Sequence, residues 1–298
     1  MFPVPITFYY DFKTLDAGQR QCVMAEFAAN GAKHLVLTHD LINMIMADIT
    51  MADTLNKEMS NARLSFVDAH APFGQFMDLN CPEEPFRSQL LMRHKLHLKI
   101  AADMGVNTLT IHVGNDYYYP HLPLDKHIAL MAEALDEILP VAEDNRITVC
   151  IENIWCRSNT PEVLLELKRR FPTDILGFCF DAGHANQMDK GRLYERNSAY
   201  DSYILVDARP EYDDRIQEKM LPYTVNCHLH DNDGQYDTHI NIGDGNTDWQ
   251  KVVSLLEKTP HLKCIQSEVV PLRNRIPVKD ICQAFHRLFN HQQPTTMI

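Results

Sequence analysis

Short apolar runs that stop abruptly at a polar residue recur along this chain, and residues 177–184 show the pattern most plainly. Gly177, Phe178, Cys179 and Phe180 lead directly into Asp181, Gly183 and His184. A run this short, aromatic and bounded by a turn suits a strand buried on both faces. Gly183 suits a sharp turn where that strand stops. Five other runs close the same way, at His70, His112, Glu152, His228 and Glu268, and successive members of the set lie 29 to 47 residues apart. Such gaps hold one strand and one helix.

Between the runs the periodicity becomes helical. Strands are predicted over 4–10, 34–38, 64–69, 108–113, 148–152, 177–181, 224–228 and 263–269. Helices are predicted over 17–30, 41–61, 83–104, 124–143, from 161 onward, and over 213–220, 249–258 and 278–290. Gly31 follows the first helix as a stop signal, and Thr160 and Pro161 open the fifth as N-cap and first helical residue. This strict alternation predicts an α/β protein, a (β/α)8 TIM barrel forming one domain over 1–298, with all strand ends on one face. Residues 185–210 and 231–248 break the periodicity and are predicted as long loops on that face, after strands six and seven.

Composition narrows the partners. Acidic residues outnumber Lys plus Arg by 40 to 28, a formal charge of −12, which disfavours nucleic acid and anionic membranes. No apolar run reaches the roughly 18 to 20 residues of a membrane span. The start Met1-Phe2-Pro3-Val4-Pro5 lacks the basic segment of a signal peptide, so a cytoplasmic location is expected, and a homo-oligomer is compatible with everything above. The eight cysteines include no CxxC pair and read as buried free thiols. Cys150 and Cys179 each precede a proposed ligand by two, so strand alternation aims them into the barrel.

The strand ends carry the chemistry. Glu152, Asp181, His228 and Glu268 supply three carboxylates and one imidazole, a donor set suited to Mn²⁺, Mg²⁺, Co²⁺ or Zn²⁺. Singly, each is an ordinary polar residue at a strand terminus; gathered in one mouth, three acids repel without a cation. His70, His112, His184, Asp237 and His239 form a second ring, either further metal ligands or groups that hydrogen-bond substrate. His230 alternates away from His228 and is expected to face a helix, and His39 is a weaker strand-end signal. His94, His97, His127, His261, His286 and His291 are expected on the surface. Tyr117, Tyr118, Tyr119 and Trp155 follow strands four and five and suit the wall of a sugar or base pocket. Arg157, Arg273 and Arg275 follow strands five and eight, where a guanidinium suits a phosphate or carboxylate.

These residues together resemble the xylose isomerase-like barrels, a superfamily of sugar and sugar-phosphate isomerases and epimerases that includes endonuclease IV. The likeness runs over nearly the whole chain. It rests on His70-Ala71-Pro72, Ile111-His112-Val113-Gly114, Ile151-Glu152-Asn153, Phe180-Asp181-Ala182-Gly183-His184, His228-Leu229-His230-Asp231, His239 with Gly243-Asp244-Gly245 and Asp248-Trp249, and Ser267-Glu268. In the ketose epimerase branch, the resemblance implies one divalent metal on Glu152, Asp181, His228 and Glu268, with the two glutamates transferring protons. In the endonuclease branch (AP endonuclease family 2), it implies three zinc ions held by these four with His70, His112, His184, Asp237 and His239. Asn232, Asp233 and Gly234 stand after His228 where the epimerases carry an arginine.

The expected activity is therefore divalent-metal-dependent isomerisation or epimerisation of a sugar or sugar phosphate through a metal-stabilised enediolate. Glu152 and Glu268 are the expected bases, with His184 orienting a hydroxyl or shuttling a proton. The alternatives are endonuclease IV-like phosphoester hydrolysis with two or three zinc ions, and a barrel that binds sugar without turnover.

Overall fold

Each apolar run becomes one strand of a closed parallel barrel in the computed structural model, which describes residues 4–189 and 196–290. The strands are β1 (Ile6–Phe8), β2 (His34–Leu37), β3 (Ser65–His70), β4 (Thr108–Ile111), β5 (Thr148–Glu152), β6 (Leu176–Asp181), β7 (Thr224–Leu229) and β8 (Cys264–Ser267). They pair in chain order, and β1 closes the ring against β8. Register places Asp181 beside His228 across β6 and β7, so two candidate ligands are neighbours by backbone pairing alone.

Twelve helices link and cover the strands among the described residues. They are α1 (Ala17–Ala29), α2 (His39–Ala47), α3 (Thr50–Asn61), α4 (Phe86–Asp103), α5 (Leu124–Asp144), α6 (Pro161–Arg170), α7 (Ala182–Gln187), α8 (Ser198–Leu205), α9 (Ile216–Met220), α10 (Trp249–Leu256), α11 (Pro271–Asn274) and α12 (Val278–Asn290). Leu35, Leu109, Ile151 and Ile265 are buried strand residues of the core they share with α4 and α5. No described helix is long and apolar enough to cross a membrane.

Two element predictions are corrected. The single helix over 41–61 is two, because Asp48 turns extended and its carboxylate accepts hydrogen bonds from the backbone N–H and the hydroxyl of Thr50. Such a local bond competes with the helical ladder. The predicted loop over 185–210 contains the rest of α7 and all of α8, the latter capped by Asn197, whose side chain accepts from the Tyr200 N–H.

Candidate metal centre

The strand ends converge as the barrel geometry requires. Glu152 and Asp181 end β5 and β6, His228 is the penultimate residue of β7, and Glu268 follows β8 directly. One ligating atom from each of these four lies within 4.8 Å of the others. Glu152 Oε1 is 3.0 Å from His228 Nδ1, and Glu268 Oε2 is 3.4 Å from the same nitrogen. His70 and His112 approach the other oxygen of Glu152, at 3.7 and 3.0 Å. Glu152 therefore stands at the centre, shared between the four-residue cluster and a His70–Glu152–His228 group.

A second cluster lies beside the first: His184, His230, Asp237 and His239. Asp181 links the two. One carboxylate oxygen caps α7 by accepting from the His184 N–H at 2.5 Å, and the other lies 3.2 Å from His230 Nε2. The Asp-x-x-His motif is thus a helix cap that fixes both side chains.

His230 is a correction. It faces the site and not a helix: it is fully buried, 3.7 Å from Asp237 and stacked on His239 with ring centroids 3.8 Å apart. β7 ends at Leu229, so alternation no longer applies one residue later. Gly183 is explained by the same ring, since a Cβ there would lie 2.0 Å from His230 Cε1, whereas its backbone is ordinary helix.

The histidine tautomers are set from behind. His70, His184 and His239 each donate Nδ1–H to a backbone carbonyl, of Ala71, Asn153 and Glu268, at 2.7, 2.8 and 2.8 Å. Each then turns Nε2 toward the carboxylates. This is the outer support typical of metal-binding imidazoles. His239 sits at φ +50°, strain that the surrounding bonds sustain.

Charge is balanced within the site. Burial pushes the Glu152 carboxyl up, but His228 and His112 outweigh it and hold it well below the usual carboxylate range. Glu268 and Asp237 are likewise held low against burial, by His228 for the first and by His239 and His184 for the second. The imidazoles mirror this. Burial pulls His184 and His228 down, yet the neighbouring acids, with Cys179 beside His228, raise both well above the ordinary value, and His239 rises to about 9. The carboxylates demand positive charge between them, as protons or as a cation.

Several polar atoms fit that second option. Glu152 Oε2, Asp181 Oδ2, Asp237 Oδ1 and both ring nitrogens of His230 are buried without a hydrogen-bond partner among the described residues. His230 Nε2 and Asp181 Oδ2 are within reach of each other but not aligned for a hydrogen bond. These unpartnered oxygen and imidazole atoms, beside carboxylates already bonded to His228 and His239, suit a divalent transition metal.

The surroundings divide the remaining candidates. Trp155 lies edge-on to the His184 ring at 4.8 Å, at the site, whereas Tyr117 pairs with Tyr118 and accepts from Asn115. Arg157 is bound to the buried Asp116 at 2.8 Å. Arg273 donates to the carbonyls of Asp237 and Thr238, and Asn274 to those of Thr238 and His239, so this pair clamps the loop that carries two candidate ligands. Arg275 is exposed beyond α11. Cys150 and Cys179 are buried, and burial pushes both thiols up.

Phe73 was not foreseen. It stacks on His112 at 4.7 Å, meets His70 and His39 edge-on and is 53% exposed, so it stands at the mouth. Its place three residues after a strand-end histidine was the available signal. Asp231 was not foreseen either. It folds the loop after β7 by accepting from the backbone N–H groups of Asn232, Gly243 and Thr247 and from the Trp249 indole.

Among the histidines expected on the surface, His261 and His286 are exposed and His291 lies outside the described residues. His94, His97 and His127 are fully buried instead. Each shares the inward face of its helix with apolar neighbours, Leu90, Leu98 and Ala101 on α4, and Met131 and Ala134 on α5.

Comparison with known proteins agrees with this architecture. The family model for xylose isomerase-like TIM barrels matches residues 24–268. An uncharacterized protein of Methanocaldococcus jannaschii is 27% identical over 236 residues, 75% of this chain and 71% of the relative. A D-tagatose 3-epimerase-like protein superimposes with a TM-score of 0.70 at 19% identity, covering 95% of both chains. D-psicose 3-epimerase from Clostridium cellulolyticum H10, solved with D-tagatose, gives 0.65 at 12% identity, over 94% of this chain and 92% of that one.

Proposed function

This chain belongs to the xylose isomerase-like TIM barrel family, and within it we propose a divalent-metal-dependent isomerase or epimerase of a sugar or sugar phosphate. The observation that carries the reading is the cluster of Glu152, Asp181, His228 and Glu268, three acids and one imidazole with ligating atoms within 4.8 Å. The structurally similar D-psicose 3-epimerase and D-tagatose 3-epimerase-like protein support the substrate class. The four residues would hold a divalent cation, which supplies polarisation of a substrate carbonyl and so acidifies the adjacent C–H.

The protein's own groups divide the remaining work. Glu268 is the proposed base: its side chain is 13% exposed against 1% for Glu152, so it is the carboxylate a substrate reaches. The histidines that hold it ionised keep it in the state a base requires. Glu152, the more buried of the two at the end of β5, is the proposed second proton-transfer group. His184, fixed by the Asn153 carbonyl, orients a hydroxyl through Nε2. Trp155 and Phe73 wall the mouth and exclude water, which strengthens each electrostatic contact inside.

The test is exchange of the carbon-bound proton of ketoses and their phosphates with solvent deuterium. Wild-type protein supplied with Mn²⁺, Co²⁺ or Zn²⁺ is expected to exchange it, and Glu268→Gln to lose exchange by at least about a hundredfold. Undiminished exchange in Glu268→Gln sinks the assignment.

A second reading, multi-metal phosphoester hydrolysis, is favoured by one observation: the adjoining His184, His230, Asp237 and His239 cluster also meets the geometry of a metal site. Two or three zinc ions per chain together with hydrolysis of a phosphodiester would replace the isomerase reading with this one.

A further inference from the structure

His228 departs from His70, His184 and His239 in how its ring is held. His70, His184 and His239 turn Nε2 to the carboxylates and anchor Nδ1–H on a backbone carbonyl. His228 turns Nδ1 to Glu152 and Glu268, at 3.0 and 3.4 Å, and points Nε2 down into the barrel. There it meets a side chain, the Thr110 hydroxyl, at 3.3 Å, and the Cys179 thiol also bonds the ring.

Thr110 is itself held. Asn226 donates from one amide nitrogen to Thr110 Oγ1 and to Asp68 Oδ2, both at 3.1 Å. The amide's orientation is set at both ends, because its oxygen accepts from the Cys264 thiol at 3.2 Å and its nitrogen faces the acceptor Asp68. Asp68 in turn accepts the Thr108 hydroxyl at 2.7 Å. All five residues lie inside the barrel at 0–1% exposure, below the cluster and out of reach of substrate.

We infer that Thr110, held by Asn226 and Asp68, is the positioning residue that keeps a proton on His228 Nε2 and thereby presents Nδ1 to a divalent cation. This rests on the proposed role of His228 as a ligand. An imidazole facing carboxylates through Nδ1 either carries a proton there or gives that lone pair to a metal. When Nδ1 gives its lone pair to a metal, the neutral imidazole carries its one proton on Nε2, and a buried N–H needs an acceptor. With one Thr110 lone pair filled by Asn226, the hydroxyl oxygen has a second to offer Nε2–H. A β-branched side chain on a barrel strand holds that oxygen in place. In the other three histidines the same office belongs to the main chain and no mutation removes it; here it belongs to a side chain.

The experiment uses full-length Thr110→Val, which is isosteric and leaves the barrel interior filled, with Thr110→Ser as the conservative control. In ¹⁵N-histidine-labelled protein, with and without Zn²⁺, His228 Nε2–H should give a solvent-protected proton resonance in the wild type. That resonance should shift upfield and exchange faster in Thr110→Val and return in Thr110→Ser. The Zn²⁺ dissociation constant, by competition with a chromophoric chelator, should rise roughly ten- to a hundredfold in Thr110→Val. An unchanged resonance and unchanged affinity in Thr110→Val overturn the inference while leaving the metal reading intact. A wild type that binds no Zn²⁺ overturns the metal reading, and this inference with it.

Discussion

The imidazoles of His230 and His239 lie face to face, 3.8 Å between centroids and 17° between planes, with Asp237 reaching both. His239 is bonded through both ring nitrogens, whereas neither nitrogen of His230 has a hydrogen-bond partner among the described residues, so His230 is the ring with a nitrogen to offer a metal. His230→Ala should therefore lose metal from the second cluster and keep it at the first. Elemental analysis of a preparation holding more than one cation per chain should show the ratio fall by about one. An unchanged ratio would remove His230 from the ligand set.

Gly183 leaves room for that ring. A methyl group there meets His230 at 2.0 Å, a contact with a buried ring that cannot swing into solvent. Gly183→Ala is expected to cost about 1–3 kcal/mol of unfolding free energy, as overpacked sites do. A denaturant midpoint equal to wild type would show that the His230 ring yields freely.

Acid should weaken the fold through two buried histidines of α4. Burial pulls His94 down to about 4 and His97 to about 3, and each donates its ring N–H to a carbonyl, of Met77 and Arg93. The unfolded chain takes up these protons first as pH falls below the ordinary histidine value. Their contribution is therefore complete above about pH 6.5 and is lost as pH drops toward the folded values, roughly 2 kcal/mol for each between pH 7 and pH 5. His94→Gln should lose about 2 kcal/mol less than wild type over that interval, measured by urea unfolding at both pH values with chelator present. Equal losses in the two proteins would exclude His94 as a source.

The barrel and its first cluster were legible because buried strands have no reason to end in charge. Glu152 and Asp181 each break an apolar run, His228 ends one that only Asn226 interrupts, and six such breaks at unit spacing leave little but a ring of parallel strands. The features not foreseen have specific physical causes. His230 was misplaced by carrying strand alternation past Leu229, where the chain turns to pair Asp231 with Ile240. His94 and His97 were read by residue type, although their spacing from Leu90, Leu98 and Ala101 placed them on the buried stripe of α4. Arg157 and Arg273 were placed correctly in sequence, but only the tertiary fold shows that Asp116 and the carbonyls of 237 and 238 engage them. The role of Thr110 had no sequence signal, since a threonine inside a strand is common for its β-branch alone.

The central claim is that Glu152, Asp181, His228 and Glu268 hold a divalent cation, and it is tested most directly by counting metal per chain. Wild type, His228→Ala and Glu268→Gln would be equilibrated with trace Mn²⁺, Co²⁺ and Zn²⁺, desalted and measured by elemental analysis. At least one cation per wild-type chain, with one fewer in each variant, is the predicted result. A wild type that retains none, or variants that retain the full wild-type complement, would contradict the account.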